Sequence, residues 1–326
     1  MNNNIPVKTD GKSVPLKEQE YTMTISNSVP LQGYTFSHKL QPILDVLKRI
    51  IASGYVKFED ENGKIVRHPL SCLLISNIGG GKTTLLKKTT EISEKGIIFT
   101  TDITPYGFWR IWSEHKEDFR NGKITHIVIP DLTTPFSRNK TIVNHFVGFM
   151  NALIEEGIAH IKTFYITIEE PIQIGLITAT TTSDFNLRKR GWLGIGFIQR
   201  MLPISFSYAK QDVFQILEDI AQHKIKGLET EKLRQHIKLI NGNPEIETRL
   251  IPYALEIDSI YDKTTFKTKS KKTYTIQKPE PFRRQKQLSL LLMANALLRG
   301  DNQIREQDFQ WFKTVARWIN FDFNPL

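Results

Sequence analysis

The chain has 326 residues, 40% of them hydrophobic and 10% aromatic, with a single cysteine and a formal net charge of +10. That length is long for one domain and short for three, the composition can bury a sizeable core, and one cysteine excludes a disulfide framework. No run approaches the ~18 consecutive apolar residues of a membrane span, and the opening residues lack the apolar core of a signal peptide, so a soluble, cytoplasmic protein without membrane contact is expected.

Residues 1–33 are polar, rich in Asn, Ser, Lys and Thr, and are expected to be poorly ordered. Structure is expected to begin at Ser37, which reads as an N-cap. Leu40, Ile43, Leu44, Leu47, Ile50 and Ile51 then recur at helical spacing up to Gly54. YVKFED and KIVRH, separated by Glu61, Asn62 and Gly63, read as a hairpin.

Leu73–Lys88, LLISNIGGGKTTLLKK, follows. An apolar run, a polar glycine-rich turn and a stretch of good helix formers give strand, loop and helix, the context a phosphate-binding loop requires. Gly79, Gly80 and Gly81 let the backbone turn its N–H groups toward an anion at the helix start. Lys82 would reach the β- and γ-phosphates, and the Thr83 hydroxyl would complete the coordination of Mg²⁺. The loop as a whole, Ser76, Asn77, Ile78, Gly79, Gly80, Gly81, Lys82, Thr83 and Thr84, departs once from G-x-x-x-x-G-K-[ST], with Ser76 where the first glycine usually stands.

Beyond the loop helix, GIIFTTD reads as a buried strand and PYGFWRIWSEHKEDF as an amphipathic helix with Phe108, Ile111 and Trp112 on its core face. ITHIVIPDL is a further strand, ending in Asp131, a carboxylate placed to accept hydrogen bonds from Mg²⁺-bound water. A helix over about 141–156 ends at Gly157. FYITIEEPIQIGLITATTT holds two strand-like halves, LPISFSY is a last strand and QDVFQILEDIA a helix. Strands alternating with helices predict an α/β fold, its sheet mostly parallel and covered on both faces.

Residues 223–282 change character. From Lys263 to Lys286 there are nine Lys or Arg against Glu280 alone, a density that belongs on a surface. Together with Arg188, Lys189 and Arg190 this run is a candidate contact for nucleic acid, DNA in particular; the other reading of both runs is a solvated face. Residues 283–326 then return to helix, with a stripe from Leu288 to Leu297, a stop at Gly300 and a final amphipathic segment, EQDFQWFKTVARWI.

In this order of parts the chain resembles the AAA+ P-loop ATPases, over about residues 35–215 and 280–320. The resemblance implies an AAA+-type α/β nucleotide-binding domain over 34–222, a basic insertion or linker over 223–282, and a small C-terminal helical lid over 283–326. It implies ATP and Mg²⁺ as cofactors, Thr83 and Asp131 at the metal, and catalytic roles for Lys82, Asp131, Thr180 and Arg200. Thr180 matches the polar sensor at the end of the fourth strand, and Arg200 the arginine finger that reaches a neighbouring subunit's nucleotide. Arg283 or Arg284, opening the first lid helix, matches the second sensor. The layout is closest to the branch that includes the minichromosome-maintenance helicases, where a β-hairpin precedes the sensor strand; KTFYITIEEPIQI occupies that place, which two ordinary sheet strands would also fill.

One departure from the family matters. The Glu that usually follows the Mg²⁺ Asp is Leu132 here, so hydrolysis needs another carboxylate, with Asp102, Glu169 and Glu170 as candidates. Two functions are therefore expected to compete: an ATPase that assembles into a homo-oligomeric ring or filament acting on DNA, and an ATP-dependent switch or scaffold that recruits a protein partner with slow or no turnover. A transferase or kinase built on the same loop is a third, which the helical lid and Arg200 disfavour.

Overall fold

Five short apolar runs lie side by side in one sheet, and burial on both faces accounts for their composition. A computed structural model describes residues 37–157, 172–224, 227–234, 236–262, 265–267, 273–275 and 278–326; residues 34–326 form one compact unit. Helix α1 (Ser37–Ser53) leads into the antiparallel pair β1 (Val56–Glu59) and β2 (Ile65–Val66), then to β3 (Cys72–Ser76), α2 (Lys82–Ile92), β4 (Ile97–Phe99), α3 (Pro105–Glu114) and α4 (Lys116–Arg120). There follow β5 (His126–Ile129), α5 (Thr133–Phe136), α6 (Lys140–Asn151), β6 (Gly175–Thr181), α7 (Thr182–Gly194), β7 (Leu202–Ser205) and α8 (Lys210–Ala221). The remainder is β8 (Lys238–Leu239), α9 (Pro244–Thr248), α10 (Ile251–Asp258), the pair β9 (Thr265–Lys267) and β10 (Thr273–Thr275), α11 (Phe282–Arg299) and α12 (Glu306–Val315).

The main sheet runs β4-β5-β6-β3-β7 and is parallel throughout. Every residue of β3, β5 and β7 is buried, as expected of parallel strands with helices on both sides. All strands therefore end on the same side, and the loops that follow β3, β5 and β6 share one edge, the usual location of a ligand site in an open α/β sheet.

The predicted stripe of α1 is buried in full, and the helix packs against α2 and α11. In α11 the residues from Gln287 to Ala296 are buried without interruption, because the helix is covered by α1, α10 and α12. Gly300 ends it at φ 87°, a left-handed conformation glycine adopts at no steric cost. No helix among the described residues is long and apolar enough to cross a membrane.

Three details differ from the sequence reading. The aromatic helix breaks at His115 into α3 and α4, and Trp109 is buried along with Phe108 and Trp112 while Ile111 is only half-buried. Helix α7 was not anticipated: it buries only Phe185, Trp192 and Leu193 and turns Leu187 to solvent, which leaves little periodicity to read. Helix α6 passes into a π-helical turn, Ala152–Glu156, before Gly157 at φ 72°. The N-terminal segment 1–33, residues 158–171 with Glu169 and Glu170 and most of the hairpin slot, and the side chains of Lys263, Lys267, Lys269, Lys271 and Lys272 lie outside the described residues.

Residues 320–326 return to the sheet edge. Ser207 pairs with Pro325 as an isolated parallel bridge, the Phe323 N–H donates to Ser205 Oγ at 3.0 Å, and Ser207 Oγ donates to the Phe323 carbonyl at 2.7 Å. These bonds hold Phe323 at φ 57°, an uncommon conformation for a bulky residue. Phe321 stacks on Phe185 at 5.4 Å and Phe323 meets the same ring edge-on, so this segment seats the start of α7.

His126 of β5 is fully buried, its ring bonded to Thr125 Oγ1 at 2.9 Å and to the Leu70 carbonyl at 3.1 Å. Burial pushes its pKa down to about 3. Because the unfolded chain takes up a proton near pH 6.5 and the folded chain does not, the stability His126 lends is complete above that pH and is lost as the pH falls toward about 3. Urea denaturation at pH 7.5 and 5.0 is expected to show a fall from this residue of about 2 kcal/mol, absent in His126→Gln.

Candidate functional site

The site is built on the turn between β3 and α2. Gly79 and Gly81 adopt φ of 75° and 81°, which β-branched or bulky residues rarely do. Gly80 answers to space: a Cβ there would lie 2.4 Å from Ser76 Oγ and 3.0 Å from the Asn77 carbonyl. Gly81 caps α2 without a side-chain hydrogen bond, so the first turn, Lys82, Thr83 and Thr84, presents the positive end of the helix dipole with no side chain capping it from that position.

The ammonium of Lys82 folds back over this turn, donating to the Ser76 carbonyl at 2.9 Å, the Asn77 carbonyl at 2.8 Å and Ser76 Oγ at 3.3 Å. The serine that replaces the usual first glycine thus puts a hydroxyl against both Gly80 and Lys82. Tyr208, just past β7, donates from its hydroxyl to the Gly80 carbonyl at 3.2 Å and tethers the turn from the far side; burial pushes its phenol pKa up. Asn77, Ile78, Gly79 and Thr83 are exposed, so the turn opens to solvent.

The end of β5 brings up the first carboxylate. Asp131 accepts from the Thr133 N–H at 2.8 Å, and the Leu132 N–H donates to the Ala179 carbonyl at 3.0 Å, tying this corner to β6. Thr178 repeats the tie through its hydroxyl to the Ile129 carbonyl at 2.7 Å. At the end of β6, Thr180 lies in register with Ile75 of β3; it is 1% exposed, and its hydroxyl has no hydrogen-bond partner among the described residues. The next residue, Thr181, caps α7 by accepting from the Asp184 N–H at 3.1 Å and donating to Asp184 Oδ2 at 2.8 Å.

Burial lowers the Lys82 pKa, and Asp131 and then Asp184 act against that fall. Both carboxylates therefore lie within electrostatic reach of the lysine. The sequence reading had Asp131 and missed Asp184 and Tyr208. Thr181-Thr182-Ser183-Asp184 carries the spacing of a helix-capping box, which could have marked both α7 and its carboxylate.

The predicted arginines lie elsewhere. Leu202, first residue of β7, pairs with Cys72, first residue of β3, so what precedes β7 sits at the sheet edge opposite the glycine turn. Four residues of strand, about 13 Å, separate the two edges. Arg200 pairs with Glu155 of the π-helical turn at 2.5 Å and donates to the Gly196 carbonyl at 2.9 Å. Arg283 pairs with the same Glu155 and donates to Gln199 Oε1 at 3.1 Å. Arg284 is buried and donates to Asp258 at 3.0 Å, Gln287 at 2.8 Å, and the carbonyls of Met201 and Ile198 at 2.5 and 3.1 Å. Within one chain, these partners of Arg283 and Arg284 lie away from the turn, and Arg284 has the partners of a core residue.

Three further described members of the basic runs have partners within the chain. Lys278 pairs with Asp262 at 2.6 Å and Lys286 with Glu61 at 2.5 Å. Arg188 donates to the Phe136 carbonyl at 3.1 Å and lies over that ring. Neither the protein-family models nor the curated proteins compared with this chain give a match.

Proposed function

We propose that the chain binds ATP with Mg²⁺ at the turn from Ser76 to Thr84 and hydrolyses it, as an ATPase of the AAA+ type that works as a homo-oligomeric ring or filament on DNA. The observation that carries the reading is the Lys82 ammonium, held over two backbone carbonyls at the positive end of α2 and within electrostatic reach of Asp131. An anion entering the turn would meet that end of the helix and draw the lysine off the carbonyls. The residues fit Mg²⁺ as well, because that ion keeps most of its water and takes few protein ligands. Thr83 and Asp131 would hold it, and when bound it would neutralise charge on the phosphates.

The unpartnered hydroxyl of Thr180, buried at the end of the strand beside the loop strand, supports its reading as the sensor. Arg200 supports assembly less directly: acting on a neighbour's nucleotide requires it to leave Glu155. Arg200→Ala is expected to leave nucleotide affinity within about threefold and to lower turnover by about 10³-fold in the assembled protein only. An equal effect on dilute monomer would remove the finger from this scheme.

A second reading is an ATP-dependent assembly switch or scaffold that recruits a protein partner and turns over slowly. The burial of Leu132 favours it, since no carboxylate occupies that position. Steady-state ATPase assays with and without DNA, paired with particle mass in ATP, separate the two. Stimulation by DNA with growth in mass supports the first, and ATP-driven growth without turnover supports the second. Failure to bind ATP at all would overturn both.

A further inference from the structure

We propose that Asp184 supplies the carboxylate that Leu132 does not, orienting the water that attacks the γ-phosphate of a nucleotide bound at the glycine turn. The inference rests on the ATPase reading above and names a residue for its chemistry. Leu132 is 1% exposed and its backbone is fixed to β6, so its side chain belongs to the core. Asp102 follows β4, three places along the sheet from β3, and both its oxygens are taken: one accepts the Ile103 N–H at 2.8 Å, the other pairs with Arg138.

Asp184 is better placed. It sits in the first turn of α7, directly after β6, which adjoins β3. Its Oδ2 accepts from Thr181 at 2.8 Å and, at 3.4 Å, from the hydroxyl of Thr133, whose N–H in turn donates to Asp131 Oδ1. Thr133 therefore spans the two carboxylates, and Lys82 feels both. Oδ2 is fixed by these hydroxyls, while Oδ1 takes no hydrogen bond among the described residues, as a group waiting to accept from water would not. The buried, unpartnered Thr180 hydroxyl at the same strand end is a second polar group with spare capacity there.

In the step itself the water oxygen forms a bond to the γ-phosphorus as the bond from that phosphorus to the β–γ bridging oxygen breaks. The bridging oxygen leaves on ADP with the electron pair. The water's proton passes to the Asp184 carboxylate and from there to solvent, giving ADP, phosphate and a proton.

The test compares parent, Asp184→Asn and Asp102→Asn by MgATP titration and by steady-state turnover at saturating ATP. Asp184→Asn keeps the side chain's size and is expected to hold ATP within about threefold of the parent while turnover falls by about 100-fold or more. Asp102→Asn is expected to change turnover by less than about threefold. Retained turnover in Asp184→Asn, or the reverse pattern between the two variants, overturns the proposal and leaves the ATPase reading standing. Loss of ATP binding in Asp184→Asn also overturns it, because the carboxylate then acts on folding or binding. A parent protein that binds no ATP removes the ATPase reading, and this proposal with it.

Discussion

Lys82→Ala is expected to weaken MgATP binding by at least about 100-fold, the equivalent of about 3 kcal/mol, while the protein stays folded. The ammonium is a compact charge with three donors, two of which now rest on the Ser76 and Asn77 carbonyls. Hydrogen bonds to charged groups contribute about 1.5–3 kcal/mol each, and a triphosphate would offer it more than one. Removal should cost the apo fold little, since burial already works against the charged form. Lys82→Arg is a sharper companion, because a planar guanidinium cannot repeat the fold-back over the turn and is expected to restore binding only in part. Fluorescence titration with a labelled nucleotide reads both variants; affinity unchanged in Lys82→Ala would remove the turn from consideration as a phosphate site.

Arg284→Ala is expected to lower stability by about 3–5 kcal/mol, read as a shift in the urea midpoint at constant slope. The guanidinium joins α11 to Asp258 of α10 and to the carbonyls of Met201 and Ile198 before β7. Its loss strands Asp258, 2% exposed, whose carboxyl burial already pushes upward in pKa against the pull of Arg284. Asp258→Asn combined with Arg284→Met removes both charges together and is expected to recover more than half of the loss. A destabilised but folded Arg284 variant with parent-like nucleotide affinity is the expected pattern for a core residue. Affinity falling in proportion would return it to the nucleotide.

Much of this architecture is legible in the residues themselves. The stripe in α1, the apolar strands β3 and β5 and the Gly300 stop follow from local periodicity and from backbone conformations that few residues tolerate. The glycine turn was legible for the same reason: φ of 75° and 81° at Gly79 and Gly81, and the lack of room at Gly80, are demands written directly into residue type. What escaped depends on partners far away in sequence. Arg200, Arg283 and Arg284 carry the charge that motif position suggested, but Glu155 and Asp258 decide what that charge meets. Lys278 and Lys286 read as unpaired positive charge until Asp262 and Glu61 are placed beside them. Asp184 was hidden because α7 has too few buried residues to announce itself, though its capping sequence was present.

The segment 320–326 has a consequence for the order in which the protein is made. Synthesis runs from N- to C-terminus, and the bond from Phe323 to Ser205 spans 118 residues. Strands β3, β5, β6 and β7, and with them the glycine turn, Asp131 and Asp184, all emerge from the ribosome well before the two phenylalanines that seat Phe185. The pairs of the sheet are as long in range, Cys72 with Leu202 among them, but both of their partners are made earlier than Phe321 and Phe323. Nascent chains therefore carry every residue of the site while the helix bearing Asp184 still lacks its clamp. Order at the start of α7 should arrive as a late event in biogenesis, separable in time from collapse of the sheet.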